Sequence, residues 1–251
     1  MLSAVGDENP TKALAGAVET TRRLCGSDAS RYCNWLRLAR PWPGADAFFA
    51  RLKDETSAGQ VVDHMGALYF GMIFCMLGFA ASFEPSGLKG PDLLIERDGA
   101  CATVEVTRRR PMSQGSPRLG VSGMPEDLML SAYGDPTRDI DRAFEKVKGK
   151  FPQAVGPSAI IALWNSDEGL EDLEMAEAIA AMRDDPDLPA GLEFVAFASD
   201  WARAGRFVRC FAVADGPQPH IASWIDGLED ITSPAFGDWL HASIDGLSAS
   251  G

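Results

Sequence analysis

The sequence predicts an α/β fold in which a mixed central sheet is flanked by helices. Asp98-Gly99 joins two runs of strand-forming residues, which is a strong signal for a two-residue β-hairpin. The apolar run 158–164 is typical of a buried strand, and helical and strand patterns alternate after it. A length of 251 residues, with 46% hydrophobic and 24% charged residues, is ordinary for a globular protein.

The first 58 residues are predicted to form a helical extension in front of an α/β domain at 59–251. A Pro-Trp-Pro-Gly break at 41–44 separates the last of its helices from the others. The extension consists of three segments with helical spacing: 11–24, 29–38 and 45–53. The pattern leaves open whether this extension caps the core or binds a protein partner.

The uncharged stretch Gly66–Phe83 has two interpretations, a membrane span or a buried helix followed by a strand. Its three glycines and the lack of a flanking basic cluster favour a buried helix over about 60–77, with a strand after Gly78. The five cysteines form no CxxC pair, which argues against a disulfide framework and a zinc knuckle. No signal-peptide pattern opens the chain, so a cytoplasmic protein is expected.

The second half of the chain is predicted to alternate helices and strands after a long loop at 111–137 that is rich in Pro, Ser, Gly and Met. No internal repeat is present. The predicted elements are a helix at 137–151, a strand at 158–164, an acidic helix at 170–183, strands at 192–199 and 207–214, and a C-terminal helix at 236–247.

The hairpin places two carboxylates opposite each other. With a two-residue loop at Asp98-Gly99, the numbers of opposed residues sum to 197, as those of Asp92 and Glu105 do. Opposed residues have Cβ atoms about 4.5–5.5 Å apart, and like charges in that arrangement destabilise a sheet. A hard divalent ion with oxygen ligands, Mg²⁺ or Mn²⁺, would compensate these charges. Thr103 and Thr107 are expected on the same face as Glu105.

This pattern resembles the PD-(D/E)XK nuclease superfamily, in which Pro-Asp opens one strand and Glu-x-Lys lies on the next. Here it runs Pro91-Asp92, twelve residues, then Glu105-Val106-Thr107, and the resemblance covers roughly 60–165. The resemblance implies a restriction-endonuclease-like core, with Asp92 and Glu105 as metal ligands and the backbone carbonyl of Val106 as a third. It also makes the helix at 60–77 the first core helix, with its acidic position at Asp63.

Thr107 stands where that family has a lysine that orients or activates the attacking water. Either another cation substitutes for this lysine or the site has lost its chemistry. The cationic side chains that could substitute are Lys89, Arg109, Lys146, Lys148 and Lys150. Lys146 and Lys148 are favoured because a lysine from the following helix could reach the same space, so the predicted catalytic set is Asp92, Glu105, Lys146 and Lys148.

The net charge of −13 weakens a nucleic-acid interpretation without excluding it. Residues 1–125 hold 14 Lys and Arg against 13 Asp and Glu, whereas residues 126–251 hold 9 against 23. The candidate site therefore lies in the neutral half, next to the run Arg108–Arg110. A strand end with a salt bridge is favoured over a phosphate clamp for this run.

The three histidines, His64, His220 and His241, have no partner at helical spacing and are interpreted as structural or surface residues. His64, beside Asp63 on the first core helix, is the histidine placed for a chemical role. No GxSxG elbow, Walker loop or dinucleotide-binding motif is present.

The leading hypothesis is a metal-dependent nuclease that hydrolyses phosphodiester bonds of DNA or RNA. The alternative is a nuclease fold without chemistry that serves as a binding or assembly module, which Thr107 and the acidic second half favour. No membrane association is expected, and a homo-oligomer is left open.

Overall fold

A computed structural model describes residues 12–84, 91–109, 136–154, 156, 158–165, 170, 172–199, 207–213 and 221. Its helices are α1 (Lys12–Leu24), α2 (Ala29–Leu38), α3 (Ala45–Lys53), α4 (Ala58–Met76), α5 (Pro136–Lys148) and α6 (Asp172–Arg183). Its strands are β1 (Ala80–Phe83), β2 (Leu93–Arg97), β3 (Ala100–Arg109), β4 (Ala159–Asn165), β5 (Leu192–Ser199) and β6 (Phe207–Ala212). The predicted loop, apart from its last two residues, and the predicted C-terminal helix at 236–247 lie outside the described residues.

The strands form one mixed six-stranded sheet in the order β1-β2-β3-β4-β5-β6. The β3–β4 and β4–β5 pairs are parallel, whereas the β1–β2, β2–β3 and β5–β6 pairs are antiparallel. Each parallel connection contains a helix, α5 before β4 and α6 before β5, as parallel pairing requires a crossover. The prediction of a mixed sheet flanked by helices is confirmed.

Helices cover both faces of the sheet. Val104 and Val106 of β3 pack into a core shared with α1–α4, whereas Ile161 and Leu163 of β4 face the opposite way, toward α5 and α6. This division follows from the alternation of side chains along a strand. Glu105 pairs with Ile161 across the β3–β4 ladder, on the face opposite to Val104 and Val106.

The N-terminal helices share one hydrophobic core with the sheet. Trp35 of α2 and Phe49 of α3 are fully buried in the same cluster as Val104 of β3. The backbone of this region also meets the sheet edge directly, since the N–H of Phe83 donates to the carbonyl of Pro43 at 2.8 Å. The described part of the predicted extension is therefore packed against the strands that carry the candidate site.

The uncharged stretch forms the second half of α4, where residues 66–74 are all buried. Ser57 caps its N-terminus, because its side-chain oxygen accepts a hydrogen bond from the N–H of Gln60 at 3.2 Å. Among the described helices, none combines the length and the apolar character that crossing a membrane would need.

Gly71 of α4 is a site where one methyl group should destabilise the fold. A Cβ at this position would lie 2.5 Å and 2.7 Å from two carbons of the buried Trp42 ring. We expect Gly71→Ala to lower the free energy of unfolding by about 1–3 kcal/mol, measured by urea denaturation. Gly59→Ala on the same helix, where a Cβ meets nothing within 4 Å, is the matched control. Equal stability of the two variants would contradict the close approach of Trp42 to α4.

Candidate metal centre

The hairpin has the predicted register. Asp98 and Gly99 both have positive φ, at 49° and 82°, as a two-residue turn of type I′ requires. Arg97 pairs with Ala100, and the ladder runs without a slip to Leu93 opposite Val104. Asp92 immediately precedes the first paired residue of β2, so it enters the site from the end of that strand.

Asp92 is held against the backbone of β3. Its Oδ2 accepts a hydrogen bond from the N–H of Val106 at 2.8 Å, and its own carbonyl accepts one from the N–H of Glu84 at 2.9 Å. The carboxylate thus accepts a hydrogen bond from β3 that a backbone carbonyl would accept if β2 were longer. Because Val106 directly follows Glu105, this contact brings the two predicted carboxylates to one end of the hairpin.

Glu105 is almost completely buried, with 3% of its surface exposed. Its Oε1 accepts a hydrogen bond from Nζ of Lys150 at 2.5 Å, while its Oε2 is buried and no described residue donates to it with the geometry of a hydrogen bond. A buried carboxylate oxygen without a donor is destabilising, and a cation would satisfy it. The observation that most favours a metal ion here is this unsatisfied oxygen.

Both carboxyl groups are harder to ionise than usual. The pKa of Glu105 is raised to about 7, first by burial and then by the neighbouring charge of Asp92, while Lys150 and the nearby backbone N–H of Asp92 act in the opposite direction. Burial also raises the pKa of Asp92, against the opposing effects of the Val106 N–H and of Lys150. A divalent cation between the two groups would favour the charged form of each.

The lysine at this site is Lys150. Helix α5 ends at Lys148, and Lys150 follows Gly149 in the turn beyond it. The favoured Lys148 instead directs its Nζ to Asp185 at 2.7 Å and Asp187 at 3.2 Å, and Lys146 is exposed on α5. The structure therefore places one of the five cationic candidates against Glu105, but a different one from the two that the sequence favoured. Lys89 lies outside the described residues.

Arg108 and Arg109, the described residues of the arginine run, form salt bridges with carboxylates. Nε of Arg108 donates to Oδ1 of Asp63 at 2.8 Å, and Arg109 donates to Asp139. The expected salt bridges are present, although both arginine side chains are largely buried and not solvated. Asp63, the predicted acidic position of the first core helix, is thus held by Arg108 at the edge of the site.

A cavity of about 220 Å³ opens beside Asp92. Among its lining residues are Asp63 and His64 of α4, Glu84 at the end of β1, and Lys150. Glu84 forms a two-point ion pair with Arg51 of α3, and Nε2 of His64 lies 2.8 Å from Oε1 of Glu55. No pattern in the sequence indicates Glu55 or Glu84, since both join the site through side-chain contacts with other elements.

No family model matches the chain. Comparison with curated proteins and with solved structures also yields no match. The candidate site therefore depends on its own geometry, and the resemblance to the PD-(D/E)XK nucleases remains a prediction.

The donor set suits a cation that needs few protein ligands. Within the described residues, no group of three or more His, Cys, Asp and Glu side chains is arranged to hold a metal ion. Mg²⁺ is commonly bound through one or two carboxylates, with water and substrate phosphate completing its octahedron. Asp92 and the unsatisfied Oε2 of Glu105 fit that pattern better than they fit a metal enclosed by protein ligands.

Proposed function

We propose that this chain is a metal-dependent phosphodiesterase acting on DNA or RNA, with a restriction-endonuclease-like core. Asp92 and Glu105 would hold Mg²⁺ or Mn²⁺, and Lys150 would supply the positive charge that Thr107 lacks. The single observation that supports this most is the buried Glu105, with Lys150 on one carboxylate oxygen and no donor on the other.

Lys150 has the geometry for the role of the missing lysine. Thr107 is buried on the same face of β3 as Glu105 and carries no charge. Lys150 reaches Glu105 from the turn after α5, where its side chain is about one quarter exposed and so remains accessible from the cavity. An ammonium group in this position can stabilise negative charge that develops on a phosphoryl oxygen.

The remaining groups position and balance the charges. The Val106 N–H fixes the orientation of the Asp92 carboxylate, and Lys150 keeps Glu105 from being an isolated buried anion. When bound, the metal would supply a water of lowered pKa and neutralise charge on the phosphate. Catalysis of phosphate transfer depends mainly on positioning and electrostatics, which two carboxylates and an ammonium group can provide.

Titration of the protein with Mn²⁺ at pH 8 tests whether the carboxylate pair binds metal. We expect a binding heat from the wild type and none above background from Asp92→Ala, because removal of one of two ligands leaves Glu105 alone. The control is Asp184→Ala, which removes an exposed carboxylate after α6 and should titrate like the wild type. Equal heats for the wild type and Asp92→Ala would place the metal elsewhere.

Cleavage assays with Mn²⁺ on plasmid DNA, single-stranded DNA and RNA then test the chemistry. Products from the wild type, and none from Asp92→Ala, are the expected result. Metal binding without cleavage of any of these substrates would favour the alternative, a nuclease fold that serves as a binding or assembly module.

A further inference from the structure

His64 and Glu55 form a hydrogen-bonded pair on the wall of the cavity. Nε2 of His64 lies 2.8 Å from Oε1 of Glu55, and the ring stands edge-on to Phe48 with centroids 5.7 Å apart. About one quarter of the His64 side chain is exposed, and it lines the cavity together with Asp92 and Lys150. Two partners thus fix the orientation of the ring: Glu55 through a hydrogen bond and Phe48 through packing.

Glu55 determines which nitrogen of His64 carries the proton. An ionised carboxylate only accepts hydrogen bonds, so the nitrogen facing it, Nε2, must be the N–H of the neutral ring. Nδ1 of the neutral ring is then unprotonated and can accept a proton. The carboxylate also holds the ring in one orientation while Nδ1 accepts the proton.

The other charged groups around His64 are poorly suited to accept a proton. Asp63, beside it on α4, is bound by Arg108, and Glu84 at the end of β1 is bound by Arg51. Among the described residues, the charged groups that line the cavity with His64 are Asp63, Glu84, Asp92 and Lys150, and its own partner is Glu55. Asp92 is assigned to the metal, and Lys150 as an ammonium ion has no lone pair to accept a proton.

We propose that His64, positioned by Glu55, accepts the proton from the water that attacks phosphorus. This inference depends on the proposed phosphodiesterase activity and adds to it the proton acceptor that Thr107 and Lys150 cannot provide. In the step, an O–H bond of water breaks and its proton goes to Nδ1 of His64, while the water oxygen bonds to phosphorus. The bond from phosphorus to the leaving oxygen breaks, and that oxygen takes a proton from solvent.

The test is the pH–rate profile of DNA cleavage at saturating Mn²⁺ for the wild type, His64→Gln and Glu55→Gln. Saturating metal at every pH keeps loss of metal binding out of the profile, so the acid limb that remains reports the group that accepts the proton. We expect His64→Gln to lower kcat about 100-fold, to leave KM within about threefold, and to flatten this acid limb. Added imidazole should restore part of the rate to His64→Gln.

Glu55→Gln tests the positioning role, and Glu19→Gln, an exposed carboxylate on α1, is its matched control. We expect Glu55→Gln to lower kcat about tenfold or more, whereas Glu55→Asp should restore part of the loss. Thermal unfolding of each variant shows whether the fold is kept, so that a loss of rate is not a loss of structure.

The outcomes separate the two proposals. Cleavage by a folded His64→Gln variant at the wild-type rate, or with an unchanged acid limb, would overturn the role proposed for His64 and Glu55. The proposed metal-dependent activity would remain. No cleavage of any substrate by the wild type would overturn both proposals. A flattened acid limb with imidazole rescue would support both.

Discussion

Glu105→Gln is expected to abolish Mn²⁺-dependent cleavage and, at the same time, to stabilise the metal-free protein at pH 8. The variant loses one of the two metal-binding carboxylates, and we expect a loss of kcat of about 1,000-fold or more. It also removes a negative charge that is buried beside Asp92 and only partly compensated by Lys150. A side chain that is needed for activity and destabilises the fold is expected at a functional site.

The sign of the stability effect follows from the raised pKa of Glu105. In the folded state this pKa is about 7, against an ordinary value of 4.5, so the folded protein binds the proton more tightly than the unfolded chain does. The contribution of Glu105 to stability is fully present below pH 4.5 and is lost as the pH rises through 7. At pH 8, where Glu105 is ionised, we expect the free energy of unfolding of Glu105→Gln to exceed that of the wild type by about 1–3 kcal/mol.

Urea unfolding in the presence of a chelator, at pH 4.5 and at pH 8, measures this difference. We expect the stability gain of Glu105→Gln to be present at pH 8 and small at pH 4.5. Glu96→Gln, an exposed glutamate on β2 of the same hairpin, should show no such dependence on pH. A loss of stability at pH 8 in Glu105→Gln would mean that the ion pair with Lys150 outweighs the burial of Glu105.

Lys150→Met is expected to lower kcat by about 100-fold or more while the fold is retained. Its ammonium group is the cation in contact with Glu105, and removing one preorganised charged donor from a transition state commonly has an effect of this size. Because Lys150 lowers the pKa of Glu105, its loss should also raise that pKa. The pH of half-maximal Mn²⁺ binding should therefore move upward in this variant, which a titration series between pH 5 and 9 would measure.

Lys148→Met distinguishes the structural assignment from the one that the sequence favoured. Lys148 contacts Asp185 and Asp187, so its loss should leave both the rate and the pH of Mn²⁺ binding close to those of the wild type. A large loss of rate in Lys148→Met, with none in Lys150→Met, would reverse the assignment of the two lysines.

The local geometry of the site could be predicted from the sequence because it depends on a short hairpin. Asp98-Gly99 specifies the turn, the turn fixes the register, and the register brings Asp92 to Glu105 although twelve residues separate them in the chain. The alternation of Val104, Glu105 and Val106 between the two faces is a property of any extended strand. Such features are local, so the sequence alone is enough to predict them.

The choice of lysine could not be predicted because it depends on where a helix ends. Helical spacing extended the predicted helix to 151, which kept Lys146 and Lys148 on a regular helix facing the site. In the structure α5 ends at Lys148 and a turn through Gly149 redirects Lys150 toward Glu105. Helix ends are set by tertiary contacts and are the least predictable boundaries.

The wall of the cavity could not be predicted either, since it is built by side-chain contacts between different helices and strands. Arg51 meets Glu84, which has a positive φ of 41° that nothing in its local sequence indicates. Glu55 meets His64 across the junction between α3 and α4. The pattern of the N-terminal helices predicts an extension that caps the core or binds a partner. In the structure, Arg51 of α3 binds Glu84, and Glu55, which follows α3, binds His64.

A crystal of the protein soaked in Mn²⁺ and measured at the manganese absorption edge tests the shared cation most directly. We expect one anomalous peak at the end of the hairpin, about 2.0–2.6 Å from an oxygen of Asp92 and from Oε2 of Glu105. A soaked crystal with no peak between these two carboxylates, while Lys150 remains on Glu105, would contradict the metal centre on which the proposed activity depends.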